Sequence, residues 1–340
     1  FSDDPEMVAN WGAAFIRAAQ DERQLATAKH FPGHGDTALD SHILLPTLDV
    51  PRERLEQIEL PPFRAAVQRG VRAVMTAHIC VPALDSNSNG GRPATFSPAI
   101  VDGILRKSFG FDGLIFSDAL NMGAVAENYE AGEAAVLAIE AGCDIALYSA
   151  DAPRTHAALC DAVTKGRITR ERIDESARRM LNAKAWCGLQ HERMVSLENV
   201  WSVVASPLHT STARELFEHG VTLIRDPLKL LPLEQRHKRV AAIILKDAVP
   251  VWAHVLREPA GSRFSKAVQE RWQARLVESS ADSVDIEQVL ESVRDCDVVL
   301  VAVCARVAAY KGSVALGHAH AEVLRALDQA NIPTIATVFG

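Results

Sequence analysis

Leu25-Ala-Thr-Ala-Lys29-His30-Phe-Pro-Gly-His34-Gly-Asp36-Thr-Ala-Leu-Asp40-Ser-His42-Ile-Leu-Leu-Pro46 is the stretch on which the fold turns. A short apolar run, Leu25 to Ala28, leads into a loop holding Lys29, His30, His34, Asp36, Asp40 and His42 among glycines and a proline. Lys and Asp are costly to bury unpaired, and Gly and Pro weaken regular structure. The run therefore reads as a strand with a polar loop at its C-terminal end. Three histidines within thirteen residues are dense for a merely solvated loop, and loops on rigid scaffolds often carry chemistry.

Working outward, the same pattern returns. Val71 to Ala77 reads as a strand ending at His78, and Gly113 to Ser117 as a strand ending at Asp118. Asp144 to Leu147 reads as a further strand. Helices are expected from Pro5 with Met7, Val8, Trp11, Phe15 and Ala18 at helical spacing. Others are expected over 52–70, broken near Pro61-Pro62, and over 97–109, 131–141, 153–165 and 170–185. The last would carry Ile173, Ala177, Met180 and Leu181 on one face. Strand, loop and helix thus alternate with ionisable residues at strand ends, as in a (β/α)8 barrel or a doubly wound sheet. Four or five strands cannot close an eight-stranded barrel, so a barrel would need strands upstream of this sequence.

Residues 188–206 lose periodicity and read as a linker. From 207 to 340 the alternation resumes as a second α/β domain, expected to be incomplete. Its expected helices are 211–219, 265–277, 286–295 and 319–330, and its expected strands 221–224, 240–245, 298–303 and 334–338. The Val- and Ile-rich runs do not alternate, which suits parallel strands covered on both faces. The start on Phe1 and the end on Gly340 suggest a chain cut from something longer.

The formal charge of −7 argues against nucleic acid or an anionic membrane as partner, since both select basic patches. No apolar run reaches the roughly 18 residues of a membrane span. The six cysteines show no C-x-x-C pair, so free thiols and a reducing compartment are favoured. Cytoplasmic and periplasmic or secreted locations both stay open. No cofactor is expected: Gly33-His34-Gly35 lacks phosphate-loop spacing.

Asp40-Ser41-His42 places a carboxylate and an imidazole on the same side of an extended backbone, an arrangement that orients a histidine for proton transfer. Asp118 is either a helix N-cap or a carboxylate able to attack an electrophilic carbon. Lys29 and His30 suit sugar hydroxyls or an anion, or form a surface pair. The His/Asp loop also offers nitrogen and oxygen ligands, so a metal-dependent hydrolase is an alternative, although no zinc spacing is matched.

The segment from Lys29-His-Phe-Pro-Gly-His-Gly-Asp-Thr through Asp40-Ser-His to Leu45-Pro46 resembles the signature of family 3 glycoside hydrolases, in the β-N-acetylglucosaminidase branch. Thr76-Ala-His-Ile, Gly113-Leu-Ile-Phe-Ser-Asp118-Ala-Leu-Asn-Met and Gly166-Arg-Ile-Thr-Arg-Glu-Arg-Ile-Asp-Glu-Ser fit as well. The resemblance covers residues 1 to about 190 well. It implies a (β/α)8-type, TIM-like barrel over 1–187, N-terminally incomplete here, followed by a truncated α/β sandwich domain.

The resemblance further implies a retaining β-N-acetylhexosaminidase acting on small carbohydrates such as muropeptides or chitin fragments, as in cell wall recycling. Asp118 would be the nucleophile, His42 the acid/base and Asp40 its dyad partner, with Lys29, His30 and His78 binding substrate and no metal. Phosphorolysis and the β-glucosidase activity of the same family are alternatives. So is an inactive sugar-binding fragment. Ala119 stands where the family often has a second Asp.

Overall fold

The computed structural model describes residues 2–37, 41, 44–85, 91–233, 239–246, 260–280, 284–305 and 317–339. The chain divides into two compact units, Phe1–Val200 and Trp201–Gly340.

In the first unit, α1 (Pro5–Asp21) starts at Asp4, whose side chain accepts from the Glu6 N–H. Its buried side differs from the expected one. Ile16 faces inward, whereas Met7, Trp11 and Phe15 form an exposed stripe, Phe15 at 72%. Helical spacing reveals that a stripe exists but not which stripe is covered. Gln20 settles the matter by clipping α1 to the turn before β2: its amide donates to the Gly70 carbonyl and accepts from the Arg72 N–H, both at 3.0 Å.

The strands β1 (Thr27–Phe31), β2 (Ala73–Thr76) and β3 (Leu114–Phe116) pair in parallel in that order. A bridge from Phe116 to Ile145 is the only pairing shown for the expected 144–147 strand among the described residues. Among those residues the sheet does not close on itself. Between β1 and β2 lie α2 (Arg52–Gln57) and α3 (Leu60–Gln68), with Pro61-Pro62 in the first turn of α3. A π-helical segment, Ala99–Ser108, links β2 to β3. After β3 come α4 (Gly123–Ala126), α5 (Ala131–Ala141), α6 (Ala152–Thr164) and α7 (Arg170–Trp186). Phe31, Leu55, Val74, Ile79, Ile100, Leu105 and Ile115 lie in the core they enclose.

The helix α7 corrects a second expectation. Ala177 and Leu181 are exposed, Ile173 packs against Val136, Ile139, Ala162 and Ile168 as expected, and the one buried residue of the helix is the polar Ser176. Ser176 and Arg179 reach the buried Asp144 carboxylate at 2.8 and 3.0 Å, with Arg172 at 3.5 Å. Arg106 also binds Asp144, and the Ile115 N–H donates to it at 2.9 Å. Burial pulls the Arg106 pKa below its usual value, opposed by the attraction of Asp144. Three guanidinium groups and one carboxylate thus lock the end of β3 opposite Asp118.

In the second unit, after α8 (Val200–Val203) and α9 (Pro207–Gly220), a parallel sheet runs in the order β5-β4-β6-β7. The strands are β4 (Val240–Lys246), β5 (Arg275–Ser280), β6 (Val298–Cys304) and β7 (Thr334–Phe339). The helices are α10 (Ser262–Trp272), α11 (Ile286–Val293) and α12 (His318–Gln329). Ala241, Ile243, Val299 and Val301 face α11 and α12, while Val240, Ala242, Val298 and Leu300 face Val268 of α10. Two expectations fail here. The expected helix 265–277 stops at Gln273, at φ 51° in the left-handed region, and its end becomes β5. Val221–Ile224 is an exposed irregular segment. β-branched side chains favour a strand only where a partner accepts their hydrogen bonds.

Removing one partner from a buried charge cluster strands the others. Asp144→Ala should lower the unfolding free energy by about 3–5 kcal/mol, read as a lower urea midpoint by tryptophan fluorescence.

Candidate active site

Parallel pairing of β1, β2 and β3 brings their C-terminal ends to one edge, and the ionisable residues follow. The strand β1 delivers Lys29, exposed, and His30, half-buried. The Lys29–His30 and Phe31–Pro32 peptide bonds are cis. Phe31 is wedged edge-on between Phe63 and Phe109, at centroid distances of 5.2 and 6.1 Å. Its carbonyl accepts from the Ala77 N–H at 2.8 Å, joining the ends of β1 and β2. Gly33, at φ 139°, passes so close to Glu59 that an added Cβ would lie 2.7 Å from the Glu59 Cβ. Only glycine suits that approach.

His34 organises the rest of the loop. Its Nδ1 lies 2.8 Å from the Thr37 hydroxyl and its Nε2 2.9 Å from the Ser41 hydroxyl. Thr37 donates its proton to the His34 carbonyl at 3.1 Å, so Nδ1 carries the ring proton and Nε2 accepts from Ser41. The Ser41 carbonyl in turn accepts from the Ala124 N–H of α4 at 3.4 Å. Arg54 anchors Asp36 at 2.6 Å, and that bond raises the Arg54 pKa above its usual value. Asp40 and His42, expected as the proton-transfer dyad, lie outside the described residues, on either side of the pinned Ser41.

Asp118 follows β3, with its side chain only 13% exposed. Oδ1 accepts from the Ala119 N–H at 2.8 Å, and Oδ2 lies 3.8 Å from His30 Nε2. Ser117 is fully buried behind it and accepts from the Leu147 N–H at 2.8 Å. Burial lowers the His30 pKa from 6.5 to about 4, outweighing the upward pull of Asp118; Lys29, His34 and His78 press it further down. The structure therefore gathers Lys29, His30, His34, His78 and Asp118 around one strand-end edge.

His78, expected among the substrate-binding residues, lies beside the turn that follows β3. It is fully buried. Nε2 lies 3.1 Å from the Ala119 carbonyl and Nδ1 2.9 Å from the Thr95 hydroxyl. Thr95 and its neighbour Thr76, 2.9 Å apart, were not singled out from the sequence. A threonine in a loop carries no local mark of such a role, although Thr76 two residues before His78 was a hint. Among the described residues, no group of three or more His, Cys, Asp or Glu side chains is placed to hold a metal. A cavity of about 410 Å³, lined by Arg72, Asp112, Arg179 and Asn182 among others, opens at the N-terminal ends of β2 and β3 and contains none of these residues.

Residues 1–183 match the glycosyl hydrolase family 3 N-terminal domain. The chain belongs to glycoside hydrolase family 3. Its first unit accordingly carries that family's TIM-barrel-like α/β fold. A β-N-acetylglucosaminidase/β-glucosidase of Cellulomonas fimi is 30% identical over 277 residues, covering 79% of this chain and 49% of that protein. β-Hexosaminidase A of Pseudoalteromonas piscicida is 33% identical over 264 residues, covering 73% of this chain and 43% of that protein. The solved family 3 β-N-acetylglucosaminidase of Paenibacillus sp. str. FPU-7 superposes with a TM-score of 0.84 at 31% identity, covering 98% of this chain and 62% of that one. The chain thus spans about half the length of these sequence relatives.

The low His30 pKa sets a pH signature. The unfolded chain takes up this proton near pH 6.5 and the folded chain near 4. The stability contributed by neutral His30 is therefore present above about pH 6.5 and lost as the pH falls toward 4, on the order of 3 kcal/mol at most. His30→Gln should flatten the pH dependence of the urea midpoint across that window, and the His30 ring should titrate near pH 4 by NMR.

Proposed function

We propose that this family 3 chain provides the catalytic groups of a retaining glycoside hydrolase that removes terminal β-linked N-acetylglucosamine from small glycans such as muropeptides or chitin fragments. The observation that carries the reading is the setting of Asp118. It is a nearly buried carboxylate at a strand end, with one oxygen held by a backbone N–H and the other facing His30. The β-hexosaminidase and β-N-acetylglucosaminidase names among the relatives support N-acetylglucosamine, although the Cellulomonas fimi relative is named for glucosides as well. The reading takes the first unit as part of a (β/α)8-type barrel, whose active-site groups lie at the C-terminal strand ends.

In the first step, Asp118 attacks the anomeric carbon as the bond to the leaving oxygen breaks. Protonated His42, oriented by Asp40, gives its proton to that oxygen. In the second step, neutral His42 takes a proton from water, the water oxygen attacks the anomeric carbon, and the bond to Asp118 breaks. Two displacements retain the configuration. Lys29 and His30 would hold sugar hydroxyls beside the reacting carbon. The roles of Asp40 and His42 rest on the family motif, and Ser41 between them is held by His34 and α4.

With a chromogenic β-N-acetylglucosaminide, the chain should release both chromophore and free sugar. Asp118→Asn should lose about a thousandfold or more in kcat. Full activity in that variant would overturn Asp118 as the nucleophile. Adding phosphate should leave the product as free sugar, and a sugar phosphate would reassign the acceptor.

A further inference from the structure

Asp118 does not hold its own orientation. Its Oδ1 hydrogen bond comes from the next residue's backbone, the Ala119 N–H at 2.8 Å. The Ala119 carbonyl is itself held from behind, 3.1 Å from His78 Nε2. A carbonyl can only accept, so Nε2 carries a proton. On the other side of the ring, Nδ1 lies 2.9 Å from the Thr95 hydroxyl, which lies 2.9 Å from the Thr76 hydroxyl of β2. Thr76 also reaches the Phe116 carbonyl of β3 at 3.3 Å, and Thr95 the Ala77 carbonyl at 3.0 Å. All three side chains are fully buried. Phe96 lies against the ring at a centroid distance of 6.4 Å and packs edge-on against Tyr129 at 5.0 Å.

We propose that His78 is a positioning residue that fixes the Ala119 peptide, so that Ala119 holds Asp118 Oδ1 and leaves Oδ2 as the attacking oxygen. The strut runs from Thr76 through Thr95 and His78 to the Ala119 backbone, and so ties the strand-end turn after β3 to β2. A hydrogen bond on one carboxylate oxygen sets the plane of the group. Oδ2, 3.8 Å from the half-buried His30 and on a side chain that keeps 13% exposure, is then the oxygen left for a sugar's anomeric carbon. Misplacement of a reacting atom by even an ångström costs rate rather than ground-state affinity. Ala119 suits this arrangement: its backbone does the work, and its side chain is small enough to leave the turn free. The inference rests on Asp118 being the nucleophile, and it removes His78 from the set of sugar ligands.

The test compares His78→Phe and His78→Gln with wild type in the full chain, on a chromogenic β-N-acetylglucosaminide, with free N-acetylglucosamine as a competitive inhibitor. Phe fills the space but has no donor. Gln can place an amide N–H near the position of Nε2. His78→Phe should lower kcat about 10- to 100-fold while KM and the inhibition constant stay within about twofold, because ground-state sugar contacts are untouched. His78→Gln should recover most of that loss. A merely structural role would not separate kcat from KM, nor respond to one donor atom. If His78→Phe does not fold, His78→Gln alone still decides: near-wild-type kcat supports the strut, and a large rise in KM with kcat spared makes His78 a sugar contact and overturns it. Equal kcat in all three proteins would also overturn it. An inactive wild-type chain would overturn the functional reading and this inference together, whereas an active wild type with an unaffected His78→Phe would overturn this inference alone.

Discussion

Parallel pairing of β1, β2 and β3 is the constraint on which the site depends. Parallel strands carry their C-terminal ends to one edge, so residues far apart in sequence meet because each sits just past its strand. The register places Phe31 opposite Thr76 and Met75 opposite Phe116, and His30, His78 and Asp118 follow. The opposite end of the sheet must be rigid for this to hold. Asp144 supplies that rigidity, drawing the π-helical segment, the start of β3 and α7 onto one buried carboxylate. Its neighbour Cys143, enclosed in the core, has its thiol pushed up to about 12 and is inert.

The repeating strand, loop and helix were legible because each strand is a short apolar run stopped by an ionisable residue. The covered faces of helices were less legible. In α1, Met7, Trp11 and Phe15 are the larger apolar residues, yet Ile16 enters the core and the amide of Gln20 holds the turn before β2. In α7, Arg172, Ser176 and Arg179 read as surface, because nothing near them in sequence reveals a buried carboxylate 28 or more residues away. Long-range charge pairing leaves no period in the chain. For the same reason residues 275–277 read as the end of a helix, whereas pairing with β4 makes Arg275–Ser280 a strand.

Within the site, sequence identified which residues gather but not what each one faces. His30 and Asp118 meet as the strand-end pattern suggested, at 3.8 Å. His78 occupies the same kind of position and turns inward, since Thr95 and Ala119 offer it partners there. Both histidines follow polarity rules a sequence can show; only tertiary contacts decide between solvent and core. The Asp40 and His42 dyad lies outside the described residues, and what the structure adds on its behalf is the anchoring of Ser41 between them.

The separation of roles around Asp118 has an electrostatic logic. Beside a carboxylate, a protonated imidazole would form an ion pair and draw electron density away from the facing oxygen. Burial keeps His30 neutral at ordinary pH, with a pKa of about 4, and its 3.8 Å separation from Oδ2 is longer than a hydrogen bond. Oδ2 is thus not hydrogen-bonded to that ring. Oδ1, in contrast, accepts from a backbone N–H at 2.8 Å, a neutral donor that sets its direction. A neutral imidazole can still hydrogen-bond a sugar hydroxyl through either ring nitrogen. Among the described residues, the fold thus restrains Oδ1 through a backbone hydrogen bond and leaves Oδ2 beside a ring beyond hydrogen-bonding distance.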